Sequence, residues 1–149
     1  MATAIELAQW IALSLSAVAA VVGGLCWWLV RPSRAFWLLA RTAQGGLVLV
    51  ALLAGAGWLV GTRPEDGLYY VYALMPVAVS SVAEQLRLAA ADHVLARRDL
   101  LGVDEMRALD QQTQSSIVLE IVRRELGVVA LALAVCAGLL ARACSYGLS

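Results

Sequence analysis

Residues Ile5–Val30 read IELAQWIALSLSAVAAVVGGLCWWLV. Past Glu6 the stretch holds no charged side chain, with Trp10 near one end and Trp27 and Trp28 at the other. An apolar stretch of roughly 18 or more residues is long enough to cross a bilayer as one helix. Indole has an apolar body and a polar N–H edge, so it settles where hydrocarbon meets water. The stretch therefore reads as a membrane-spanning helix with an aromatic anchor at each end.

Outward from it the pattern recurs. Apolar runs cover about 5–30, 36–61, 68–91 and 117–141. Trp58, Tyr69, Tyr70, Tyr72 and Tyr146 fall with Trp10 at one set of ends, and Phe36 and Trp37 fall with Trp27 and Trp28 at the other. At about 1.5 Å rise per residue each run exceeds a hydrocarbon thickness of about 30 Å. The chain is 62% hydrophobic with a mean hydropathy of +0.80, against about 45–50% apolar residues in a soluble domain. Little chain is left for a soluble catalytic domain. The expected fold is all-α: one transmembrane domain over residues 1–149, a four-helix bundle.

The connections set its topology. Arg31–Arg34 and Thr62–Gly67 are short, which forces antiparallel neighbours. Pro32 and Pro64 fall where a missing N–H costs least. The third connection, about 92–116, is longer. In it Val103, Met106 and Leu109 alternate with Asp104, Glu105, Arg107 and Asp110, as in a short amphipathic helix lying on the membrane surface or on a partner. The chain has 11 basic residues, all Arg. Arg31, Arg34, Arg97, Arg98 and Arg107 concentrate in the first and third connections, with Arg87, Arg123 and Arg124 flanking the third, whereas Arg63 in the second is offset by Glu65 and Asp66. Basic loops stay in the cytoplasm, so both termini are expected outside. The first run lacks a basic n-region and is too long for a typical signal peptide.

Helix one carries Ala4, Ala8, Ala12, Ser16, Ala20 and Gly24, a small residue at every fourth position. Helix four carries Ala130, Ala134 and Gly138 in the same spacing. In lipid, where no hydrophobic force draws helices together, small residues permit the close approach that supplies dispersion contacts. These positions are the candidate helix-packing surface, against a sister helix or another subunit. Pro76 in the third run is expected to kink it, with Ser80 and Ser81 a turn further on.

Charged and amide side chains gather at one depth: Arg41 and Gln44 early in helix two, Glu84 and Arg87 late in helix three, Glu120, Arg123 and Arg124 early in helix four. Ionisable groups in a membrane are costly unless paired. Glu84 with Arg87, and Glu120 with Arg123 or Arg124, have the spacing for pairs along one helix. Glu84 with Arg124 would tie helices three and four. The set reads as an ion-pair collar, as a site for anionic headgroups such as those of cardiolipin, or as a docking surface for a partner subunit. It holds no nucleophile with a base. His93 is the only histidine, so neither a bis-His haem nor a His/Cys metal cluster is expected. Cys26, Cys136 and Cys144 read as free small hydrophobes. No phosphate loop, dinucleotide fingerprint or nucleic-acid patch is present.

Gly61–Tyr72 reads GTRPEDGLYYVY, Val82–Arg87 reads VAEQLR and Ile121–Gly127 reads IVRRELG. These segments resemble small four-helix integral membrane proteins of high-GC bacteria, in which a similar outer loop leads into a His-Tyr-x-Tyr start of helix three. The resemblance implies a multi-pass protein of the bacterial cytoplasmic membrane. Some of these proteins are similar to half of a haem-binding membrane bundle. Here Tyr69 stands in place of the histidine, so no cofactor is expected. The functional expectation is a non-enzymatic accessory or scaffold subunit, packing through small-residue faces in a larger membrane complex (a respiratory one is a natural host) or as a homo-oligomer. Its expected partners are membrane lipids and other membrane subunits or itself, not nucleic acid. The alternative is a small oligomeric channel or carrier using the Pro76 kink and the polar cluster.

Overall fold

The computed structural model describes residues 2–61, 66–97 and 109–146. They form four helices: α1 (Ala2–Leu29), α2 (Arg34–Leu59), α3 (Leu68–Ala96) and α4 (Gln111–Cys144). There is no strand among the described residues. The expected amphipathic segment around Val103–Arg107 lies outside them. α1, α2 and α4 are long and apolar enough to cross a membrane, which makes this a membrane protein. α3, expected as a fourth such run, is not among them although it has 29 residues. Its tyrosines, Pro76, Ser80-Ser81, Glu84-Gln85 and Arg87 dilute the apolar run.

α1 ends in a Schellman turn. The Arg31 N–H reaches the Cys26 carbonyl at 3.0 Å while Val30 takes φ +50°, a conformation that a β-branched residue rarely adopts. Pro32 follows, and Ser33 caps α2 by accepting from the Ala35 N–H at 3.2 Å. α4 begins ahead of its apolar run because Asp110 accepts from the Thr113 N–H at 3.1 Å. That cap extends the helix back through the polar stretch Gln111–Ser116.

Every helix buries a seam with alternating four- and three-residue steps. On α1 the seam is Ile5, Gln9, Ala12, Ser16, Ala19 and Gly23, and on α2 it is Phe36, Ala40, Ala43, Leu47, Val50, Ala54 and Gly57. α4 continues it with Leu126, Val129, Leu133, Cys136, Leu140 and Ala143, and on α3 Tyr69, Ala73, Pro76, Ala83, Ala90 and Val94 fall in the same register. A period of 3.5 keeps a seam facing its neighbours along a whole helix, as in a coiled coil. A period of four does not. With 3.6 residues per turn, the step from Ala4 to Gly24 rotates about 200° around the axis. Ala12 and Ser16 are accordingly buried, Ala8, Ala20 and Gly24 half-buried and Ala4 exposed. The small-residue stripe therefore packs through its middle, against sister helices.

α1 packs on α2 and α4, and α3 on α4; α2 and α3 meet over a much smaller surface. The core runs in layers along these seams. Ala19, Phe36, Ala40, Ala43, Leu126, Val129 and Leu133 fill the end nearest the α1–α2 turn. Ala12, Leu47, Val50, Cys136 and Leu140 fill the middle, and Ala54, Tyr69 and Ala73 the far end. The ten rings divide accordingly. Trp10, Trp28 and Trp58 are exposed, whereas Phe36 and Tyr69, read from sequence as interfacial anchors, are core residues at 0% and 1% exposure.

Candidate functional site

The thin α2–α3 contact leaves a crevice of about 310 Å³ lined by Gln44, Leu47, Val48, Val77, Ser80, Ser81, Glu84 and Gln85. α2 contributes Gln44 and Val48 from one face. α3 contributes Val77, Ser81 and Glu84, about a turn apart from one another, starting just past Pro76. Proline has no N–H to return to the Tyr72 carbonyl, and the Ser81 hydroxyl donates to the Val77 carbonyl at 2.9 Å.

Glu84 organises the crevice's end. Its Oε1 accepts from Arg41 Nη1 at 2.6 Å and from Gln44 Nε2 at 3.2 Å, and its Oε2 accepts from Arg87 Nε at 2.8 Å. Arg41 Nη1 also donates to Gln44 Oε1 at 2.9 Å. The Arg87 guanidinium lies 5.3 Å from the Trp37 ring centroid, a cation–π distance. Arg41, Gln44, Glu84 and Arg87 are thus brought together as the sequence suggested. The cross-link runs from α3 to α2, not to α4: both Glu84 oxygens are occupied, and Arg124 is exposed elsewhere. Arg123 lies 5.4 Å from the Trp27 ring centroid, linking α4 to α1, and Glu120 has interactions of its own. Arg41, Gln44, Glu84 and Arg87 therefore join α2 to α3, and Arg123 joins α4 to α1. The Glu84 constellation ties α2 to α3 and can hydrogen-bond a ligand or partner.

Further along the same seam, Gly55, Trp58, Tyr70 and Leu74 line a second crevice of about 220 Å³. The Tyr70 hydroxyl is buried and has no hydrogen-bond partner. The α2–α3 face thus carries two open crevices, one rich in polar side chains and one with an almost wholly apolar lining.

Between α1 and α4 lies an apolar groove of about 450 Å³, walled by Ala20, Gly24 and Trp27 and by Gly127, Ala130, Leu131 and Ala134. Of the candidate packing residues, Ala130 is buried between the helices, while Ala134 and Gly138 are exposed. A Cβ at Gly24 or Gly138 would meet nothing within 4 Å.

The sequence reading missed a buried polar pair. Gln9 Nε2 donates to the Tyr69 hydroxyl at 2.6 Å, with both residues at 2% exposure or less. The signal available was Gln9 itself, a carboxamide four residues past the start of an apolar run. Cys26, Cys136 and Cys144 are free thiols, and Cys136 Sγ donates to the Pro76 carbonyl at 3.4 Å.

No protein-family model, curated protein or solved structure matches the chain.

Proposed function

We propose that the protein is a non-enzymatic scaffold or accessory subunit of a membrane assembly, docking through its α2–α3 face. In this reading α3 crosses the membrane with the other helices, as the fourth member of an antiparallel bundle with both termini outside. The arginines of the α1–α2 turn and of the α3–α4 connection then lie in the cytoplasm of a bacterial cell.

The carrying observation is the open α2–α3 seam. Among neighbouring helices α2 and α3 meet over the smallest surface, and along it two crevices remain, of about 310 and 220 Å³, the larger lined mostly by polar side chains where the α1–α4 groove and an α3–α4 groove of about 420 Å³ are apolar. At membrane depth the larger one presents Gln44, Ser80 and Gln85. Polar groups inside a membrane face protein or water-filled cavities rather than lipid tails, and they hydrogen-bond across helix interfaces. A partner helix laid on the seam would cover both crevices. Gly55 would allow its close approach, since no neighbouring atom occupies the space beyond it.

The test is purification from native membranes in mild detergent, with native-gel size and mass spectrometry of what co-purifies. Defined companion subunits or a homo-oligomer are expected, and Gly55→Leu is expected to release them while leaving the fold intact. A monomer without companions would refute the reading. A second reading, a small-molecule carrier, draws on the polar crevice beside Pro76. It requires solute flux in liposomes that Glu84→Gln changes; a scaffold shows none.

A further inference from the structure

We propose that the α1–α4 groove is an anionic-phospholipid site, taking one acyl chain along its floor with the phosphate held at Arg123. This requires that α1 and α4 cross the bilayer, and it is independent of what docks on α2–α3.

The groove's chemistry changes along its length. Its floor and walls are Ala20, Gly24, Gly127, Ala130, Leu131 and Ala134, apolar and mostly small. From Gly127 to Ala134 the α4 wall runs about 10 Å at the helical rise. One end is closed by Trp27. Its indole edge lies against the α4 backbone, so that a Cβ added at Gly127 would stand 3.0 Å from Trp27 Nε1. The Arg123 guanidinium sits over this ring, 5.4 Å from its centroid. An exposed cation and an aromatic ring thus meet at the mouth, and the apolar trough leads away from them toward the middle of both helices. That order, charge then ring then hydrocarbon, matches a phospholipid read from its headgroup inward. Guanidinium groups form paired hydrogen bonds with phosphate oxygens.

Charge selects the occupant. The same end of the molecule carries exposed Arg31, Arg34 and Arg124 beside Arg123, against Glu120 and Glu125 on α4. The excess is positive, which favours an anionic over a zwitterionic headgroup. It also disfavours a second copy of this chain. A two-fold contact brings one surface against itself, so a copy seated here would set these arginines against their equivalents.

The experiment uses the full chain, delipidated in detergent and returned to nanodiscs of phosphatidylcholine with or without phosphatidylglycerol. Quenching of Trp27 by lipids brominated on the acyl chain, taken as the difference from Trp27→Phe, reports occupancy of the groove. Native mass spectrometry counts retained lipid. Brominated phosphatidylglycerol is expected to quench more strongly than brominated phosphatidylcholine. Arg123→Gln is expected to lower the preference about fivefold, the worth of one arginine at an anionic surface. Gly24→Leu, whose side chain enters open space in the groove, is expected to remove the retained lipid without unfolding the protein. Equal quenching by the two lipids, or retention unchanged in both variants, would overturn the proposal. So would a dimer that Gly24→Leu dissociates, because the groove would then hold a second copy.

Discussion

Two adjacent glycines provide a strict test of the packing. Gly23 lies on the buried seam of α1, and a Cβ there would stand 2.5 Å from Phe36 Cε2 and 2.9 Å from the Ala130 Cβ. Neither neighbour can give way cheaply. Phe36 is fully buried in the core beside Trp37, and Ala130 moves only with the α4 backbone. Gly24, one residue on, faces open space. Both Gly→Ala changes gain the same helix propensity, about 1 kcal/mol. The difference between them therefore isolates the steric cost. Overpacking costs about 1–3 kcal/mol, and two simultaneous contacts with fixed partners place this case at about 2–3. Gly24→Ala should raise stability slightly, and Gly23→Ala should lower it by about 1–2 kcal/mol net. The two variants should differ roughly 30- to 150-fold in unfolding equilibrium. Reversible unfolding by SDS in mixed micelles, followed by tryptophan fluorescence, reads the difference. Adding Phe36→Leu should recover part of the Gly23→Ala loss, because it withdraws the ring atoms that the new methyl meets. Equal transition midpoints for Gly23→Ala and Gly24→Ala would refute the close approach of α1 to α2 and α4.

Val30→Gly should stabilise the protein by about 1 kcal/mol, since it keeps the Schellman turn while removing the cost of a β-branched residue at positive φ; the same SDS titration checks it, and a loss of stability would count against the turn. The Asp110 carboxyl is held below the usual carboxylate range by the Thr113 hydrogen bonds. Its contribution is therefore present above the unfolded-state value and is lost as pH falls through the folded one. Hydrogen exchange at the Thr113 amide should show the first turn of α4 loosening below about pH 4, and Asp110→Asn should flatten that dependence.

The sequence carried the helices and their approximate ends because both follow from local properties, namely apolar length, proline placement and charge. Shared depth, which follows from counting along each helix, put Arg41, Gln44, Glu84 and Arg87 in one larger set with Glu120, Arg123 and Arg124. Which helix receives a charge is a different matter. That depends on rotation about each axis and on how far neighbours stand apart, and neither is local. Glu84 bonds Arg41 rather than Arg124 for that reason. α3 and α4 extend beyond their apolar runs, to Ala96 and back to Gln111. α4 starts at a capping aspartate, not at its first run of apolar residues.

The same distinction explains the small residues and the rings. Read by spacing of four, Ala4 through Gly24 look like one docking stripe. Read by the observed period of 3.5, the stripe divides by rotation. Ala12 and Ser16 serve the core, and Gly24 opens onto the α1–α4 groove beside Ala134. Tyr69 and Trp58 sit at the same end of the molecule, yet one is a core residue bonded to Gln9 and the other is exposed. An aromatic residue at the end of an apolar run thus fixes a depth, not a direction. Direction decides whether it anchors to the interface, braces the core or, like Trp27 under Arg123, closes the end of a groove. The two surfaces proposed as functional are places where neighbouring helices leave a gap. Between α2 and α3 the larger gap is lined mostly by polar side chains, which suits the proposed partner helix. Between α1 and α4 it is apolar with a cation at its mouth, which suits the proposed anionic lipid.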